Sequence, residues 1–253
     1  MATPIDISES SGVRYLHFGS EWVQGAMRIR TPFALELAYT REMMAGLLLR
    51  EAPWPRNALV IGLGAGSVVK FLHRYCPGTR IEVVEIEPQV HAVARQFFSL
   101  PPDDDRLQVR IGDGVEHVLS CTRHYDCILV DGFDRNARAG GLDTLPFYRA
   151  ARSLLTPRGL LAVNLFGRSR GFQASLRRIA DAFDGHALAF PSCDSGNVIA
   201  FAAGDDAVGV SLTELRERAT QLKADTGLDL LPTVSRLEES GRFPGGQLAL
   251  GTS

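Results

Sequence analysis

A chain of 253 residues, 45% hydrophobic and 22% charged, holds enough apolar material for one sizeable α/β domain with a small appendage, which excludes a disordered chain. A formal charge of -2 and a pI near 6.3 supply no general attraction to nucleic acid or to an anionic membrane surface. The widely spaced Cys76, Cys121, Cys127 and Cys193 form no CxxC pair or Cys/His cluster, and no apolar run reaches the ~18 residues of a membrane span.

In chain order, Ile5 and Ile7 alternate with polar neighbours, and Val13 to Phe18 and Trp22 to Ile29 follow turn-forming Ser-Gly and Gly-Ser pairs. Residues 1–32 are thus expected to form a small antiparallel sheet. Phe33 to Arg50, rich in Ala, Leu, Met and Glu with a helical period, predicts one helix, ended by Pro53-Trp54-Pro55.

From Ala58 short apolar runs alternate with amphipathic segments, the signature of a parallel sheet covered by helices on both faces. Strands are expected at 58–62, 81–85, 107–111, 126–131, 159–165, 186–190 and 197–203. Helices are expected at Val68 to Tyr75, after Pro88, and over Leu145 to Leu155, the last closed by Thr156-Pro157-Arg158-Gly159. Pro191 to Gly196 is too short for a crossover helix, so the last two strands should pair antiparallel. Residues 33–210 therefore read as a Rossmann-like domain: a seven-stranded, mostly parallel sheet of the class I S-adenosylmethionine-dependent methyltransferase fold. Residues 211–253 read as a C-terminal helix, Leu212 to Lys223, and a loosely held tail from Gly241 to Ser253.

The chemistry concentrates at strand ends. Leu59-Val60-Ile61-Gly62-Leu63-Gly64-Ala65-Gly66-Ser67 is a buried strand running into a glycine-rich turn and a helix. Such a turn brings backbone close to a ligand and offers it free N–H groups, although glycine also serves tight turns for purely conformational reasons. Glu85 ends the second strand of the domain about 20 residues on, where an acid accepts from ribose hydroxyls. A NAD-binding domain would share both features. Asp113, just past the third strand, is placed for an adenine amino group, and Asp131 ends the fourth, facing the same crevice. Each acid alone is an equally good helix N-cap; together they favour an S-adenosyl nucleotide.

Val84-Glu85-Ile86-Glu87-Pro88, Ile111-Gly112-Asp113-Gly114, Tyr125-Asp126-Cys127-Ile128-Leu129-Val130-Asp131 and Phe147-Tyr148 followed by Leu155-Thr156-Pro157-Arg158-Gly159 resemble, in order and spacing, the spermidine synthase (polyamine aminopropyltransferase) family over residues 20–203. The resemblance implies transfer of an aminopropyl group from decarboxylated S-adenosylmethionine to an amine or polyamine. It implies a nucleotide site of Gln24, Gly62, Gly64, Gly66, Glu85, Ile86, Asp113, Gly114 and Asp131, with Asp131 and Asp134 holding and deprotonating the attacking amine. It further implies a homodimer. A cytoplasmic enzyme without metal, nucleic-acid or membrane partners is expected.

Departures from the family pattern bear on the substrate. Ala65 stands where the family's glycine loop carries an acid for the donor's amino group. The family's Tyr-His-Glu-Met becomes Thr40-Arg41-Glu42-Met43, leaving Tyr39 as the substitute tyrosine and Glu36 as the substitute upstream acid. Arg135 and Arg138 follow Asp134 and would repel a dicationic acceptor. A methyltransferase using intact S-adenosylmethionine and a non-catalytic nucleotide-binding homologue are the alternative readings. His73, His91, His117 and His124 lack metal-ligand spacing, and Trp22 and Trp54 read as packing residues.

Overall fold

The computed structural model describes residues 4–19, 22–132, 140–193 and 196–250. Strands β1 (Asp6–Ser10), β2 (Val13–His17) and β3 (Val23–Arg28) form the expected antiparallel sheet. Ser11 and Gly12, both at positive φ, make the two-residue turn that suits a twisted hairpin. Leu16 and Met27 bury their side chains against Ala65 and Phe98, so this sheet lies over the glycine-rich turn.

The single helix expected over 33–50 is two short ones, α1 (Ala38–Met43) and α2 (Gly46–Leu49). Met43, Met44, Ala45, Leu48 and Leu49 are all buried. At 100° per residue these five spread over more than one helical face, so a continuous helix would leave some in water. Hydrogen bonds spanning three residues, Met44 N to Arg41 O and Leu48 N to Ala45 O among them, turn the chain between the two helices.

There follow β4 (Asn57–Ile61), α3 (Ser67–Tyr75), β5 (Arg80–Glu85), α4 (Pro88–Phe97), β6 (Leu107–Ile111), α5 (Gly114–Ser120), β7 (Tyr125–Val130), α6 (Leu145–Ser153), β8 (Leu155–Phe166), α7 (Phe172–Ala182), β9 (Ala187–Ala189) and β10 (Asn197–Ala203). Seven strands make one sheet in the order β6-β5-β4-β7-β8-β10-β9. β10 runs antiparallel to both β8 and β9, as the short connection required, and the other adjacent pairs are parallel. β4 is buried on both faces: Ala58 and Val60 join one core cluster, Leu59 and Ile61 the other. Because the chain goes outward from β4 through β5 and β6 and then returns to β7, a crevice opens at the carboxyl ends of β4 and β7.

β8 begins at Leu155, so the Thr156-Pro157-Arg158-Gly159 segment is extended strand rather than a loop. The chain continues through β11 (Val208–Ser211), α8 (Leu212–Thr226), α9 (Leu231–Glu239) and β12 (Gln247–Leu250). The loose tail expected from Gly241 is tied down over its described part: β12 pairs with β11, and Leu248 and Leu250 are buried in the main core. No helix of the described residues is long and apolar enough to cross a membrane.

Candidate active site

The turn after β4 is shaped by its neighbours. Gly62 has φ +89°, and a Cβ there would run into the backbone oxygen of Asp131. Gly66 caps α3 in the left-handed region. Gly25 of β3 faces the same turn, and a Cβ at Gly25 would lie 2.6 Å from that of Ala65 and 2.9 Å from its backbone nitrogen. The small sheet thus sits directly on the turn, and only glycine permits that approach.

Glu85, buried at the end of β5, clasps this turn. One carboxylate oxygen accepts from Leu63 N and the other from Glu87 N, both at 2.8 Å. Burial raises its pKa, and the backbone hydrogen bonds pull the other way. A carboxylate offers about four acceptor positions, so these backbone bonds leave acceptor capacity for a ligand hydroxyl. Ile86, next in sequence, is 68% exposed, an apolar surface beside the crevice.

Asp113 is the N-cap of α5, its Oδ1 accepting from Val115 N at 2.6 Å and Glu116 N at 3.3 Å. The helix-capping reading is therefore true of this residue, and it leaves Oδ2 available. Gly114 lets α5 start close to β4, since a Cβ would meet Ile61 Cγ2 at 2.5 Å.

Asp131 follows β7, its N–H donating to Ile61 O at 2.9 Å. Its Oδ1 accepts from Asn164 Nδ2 at 2.8 Å, and the phenol of Tyr39 donates to the same carboxylate. Burial pushes the Asp131 carboxyl above its ordinary value, with the bonds from Asn164 and Tyr39 offsetting part of the rise. The Tyr39 phenol is pushed well up, by burial first and then by the Asp131 charge. An acid held in this way is a better base than a solvated carboxylate.

One cleft of about 370 Å³, counting its solvent-open part, is bounded by Gln24, Gly25, Tyr39, Thr40, Met43, the Gly62–Ala65 turn and Asp131. The structure brings Gln24, Gly62, Gly64 and Asp131 to this cleft and sets Glu85 behind the turn. Asp113, Gly114 and Ile86 stand at the ends of the neighbouring strands. Asp134, Arg135 and Arg138 lie outside the described residues.

Of the substitutes named from sequence, Tyr39 reaches Asp131, whereas Glu36 is held in a two-pronged ion pair with Arg28 at 2.7 and 3.0 Å. Glu42 turns away from the cleft to accept from Thr233 at 2.8 Å and Arg236 at 2.6 Å, clamping α1 to α9. Trp54 packs on the core as expected; Trp22 is 59% exposed and tilts against Phe166 with ring centroids 5.7 Å apart. Gly25, Met43 and Asn164 were not anticipated. Asn164 carried a signal, being the lone polar residue in the apolar run Leu160 to Phe166.

The spermine/spermidine synthase domain profile matches residues 36–165. A polyamine aminopropyltransferase of Chromobacterium violaceum is 34% identical over 246 residues, 97% of this chain and 94% of that protein. A probable spermidine synthase from Corynebacterium glutamicum superposes with a TM-score of 0.72 at 22% identity, covering 87% of this chain and 83% of that one. Human methyltransferase-like protein 13, solved with SAH, superposes with a TM-score of 0.60 at 27% identity, covering 83% of this chain and 94% of that one.

Proposed function

This chain belongs to the spermine/spermidine synthase family, and we propose that it transfers an aminopropyl group from decarboxylated S-adenosylmethionine to a small amine or polyamine in polyamine biosynthesis. The observation that carries this reading is Asp131: a carboxylate at the crevice, raised in pKa by burial and held by Tyr39 and Asn164. A protonated amine with a pKa of about 10 must lose a proton before it can attack, and a base of this kind takes it. The nitrogen then bonds to the propyl carbon, the carbon–sulfur bond breaks, and its electron pair returns to sulfur, releasing neutral methylthioadenosine.

In this proposal Glu85 accepts from the ribose hydroxyls through the positions that Leu63 and Glu87 leave open. Asp113 with Gly114 meets the adenine edge, Ile86 covers a base face, and Gln24 with Gly62, Gly64 and Gly66 borders the donor. Asp134 joins Asp131 at the acceptor.

Ala65 supports a second reading. With methyl in place of the family acid and Gly25 pressed against it, no carboxylate there selects for a donor lacking its own carboxylate, so intact S-adenosylmethionine and methyl transfer fit the same cleft.

One experiment separates them: the protein is incubated with each donor and a panel of diamines and polyamines. Methylthioadenosine from the decarboxylated donor carries the first reading, S-adenosylhomocysteine from the intact donor the second. Nucleotide binding without either product points to a non-catalytic homologue. The proposal extends to a cytoplasmic homodimer that works without metal, nucleic acid or membrane, its subunit count open to light scattering.

A further inference from the structure

Asn164 interrupts an apolar strand. It sits in β8 between Val163 and Leu165, only 4% exposed, where a side-chain amide without partners is strongly destabilising. Both of its polar ends are used. Nδ2 donates to Asp131 Oδ1 at 2.8 Å, and Oδ1 accepts from Asn197 Nδ2 at 2.8 Å. Asn197 lies on the neighbouring strand β10 and is 8% exposed. The β9–β10 turn fastens its backbone, since Ser192 Oγ donates to Asn197 O at 3.1 Å.

The direction of this chain of hydrogen bonds follows from chemistry. An ionised carboxylate only accepts, so Asn164 must turn its NH2 toward Asp131. Its carbonyl then faces Asn197, which must donate. Without that donor the Asn164 carbonyl is left buried without a partner, which weakens the hold on the amide.

We propose that Asn164 and Asn197 are positioning residues for the transfer: Asn197 sets the orientation of the Asn164 amide, and Asn164 holds one side of Asp131 so that its remaining lone pairs face the incoming amine. The step at the amine rests on the aminopropyl-transfer reading; the hold on the carboxylate does not. Among the described residues, Tyr39 of α1 is the titratable group that meets Asp131. β3 brings the uncharged Gln24 to the cleft, and β4 brings the uncharged Gly62 turn.

Asn164→Leu, Asn197→Leu and Asn197→Ser are compared with wild type in two ways. One is the pH profile of kcat/KM with decarboxylated S-adenosylmethionine and an amine. The other is a carbon-13 NMR titration of the Asp131 carboxyl, identified by its loss in Asp131→Asn. Losing one hydrogen bond to a carboxylate should raise the acid-side midpoint of both curves by about one pH unit in the leucine variants. kcat should fall about tenfold while KM for the donor changes less than about twofold. Asn197→Ser, which keeps a donor, should restore most of the loss.

In an Asp131→Asn background, Asn164→Leu should add nothing further to the loss in kcat. Unmoved midpoints in the folded variants, or a fully additive loss in that double variant, would overturn the proposal. If Asn164→Leu does not fold, the Asn197 pair decides. If wild type transfers no aminopropyl group, the functional reading falls and the NMR titration alone decides the relay.

Discussion

Lys70 is a buried cation outside the cleft. It lies on α3, the helix that starts from the glycine-rich turn, is 1% exposed, and donates to Phe98 O at 2.7 Å. Burial, with no carboxylate partner among the described residues, lowers its pKa from 10.5 to about 7. The unfolded chain therefore binds more protons than the folded one between pH 7 and about 10.5, and stability must rise with pH across that window. Full protonation in the fold costs about 5 kcal/mol at 1.36 kcal/mol per unit. Linkage then predicts that moving from pH 7 to pH 9 stabilises the protein by about 2 kcal/mol through this group alone.

Lys70→Met removes the charge but leaves the Phe98 carbonyl without its partner, which costs about 1–3 kcal/mol. The variant should be more stable than wild type at pH 7 by about 1–3 kcal/mol. That advantage should shrink by about 2 kcal/mol by pH 9. Urea unfolding of both proteins at pH 7, 8 and 9 measures this difference, in which every other titrating group cancels. In each protein's own curve the Cys76 thiol, pushed up to about 11 by burial, adds a slope of opposite sign above pH 9, and it cancels in the difference. A difference between the two proteins that stays constant from pH 7 to pH 9 would refute the assignment of a desolvated amine to Lys70.

Three further outcomes follow from contacts around the cleft. Gly25→Ala puts a methyl 2.6 Å from the Ala65 methyl, so β3 must lift from the turn. Overpacking of this kind costs about 1–3 kcal/mol, and nucleotide affinity by calorimetry should fall about tenfold or more. Tyr39→Phe removes the phenol that donates to Asp131; kcat should fall about tenfold and the acid limb of its pH profile should move upward, because the carboxylate loses a bond that favours its charged form. Deleting residues 247–253 strips β12 from β11 and uncovers the core beneath Leu248 and Leu250. Losing two fully buried leucines costs about 4 kcal/mol or more, read as a drop in Tm and a rise in aggregation.

The main sheet was legible because its inner strands are buried on both faces and so read as continuous apolar runs between glycine- and proline-marked ends. Two misreadings have a common physical origin in tertiary contacts that local pattern encodes weakly. Helical propensity is high over most of Phe33 to Arg50, with Gly46 a weak helix former at the junction, and the break forms there because five apolar residues must all reach one core. The tail after Gly241 has the glycine content of a loose end. Its Gln247–Leu250 segment becomes a strand because β11, some forty residues earlier, offers an unpaired edge beside an apolar floor.

For the cleft, sequence order located the carboxylates but not their partners. Glu85, Asp113 and Asp131 sit at successive strand ends, as the alternation of elements requires. Yet each has a structural bond as well: Glu85 clasps the turn, Asp113 caps α5, and Asp131 is held from β8. An acid can serve both purposes because a carboxylate accepts about four hydrogen bonds and these contacts occupy only some of them. Asn164 is where strand patterning and site chemistry meet. A lone amide in a buried apolar strand must find partners, and here both lie across strands: Asp131 after β7 and Asn197 on β10. Seen from sequence it marks an interruption of the core; seen in the sheet it joins the carboxylate of the cleft to the antiparallel strand β10.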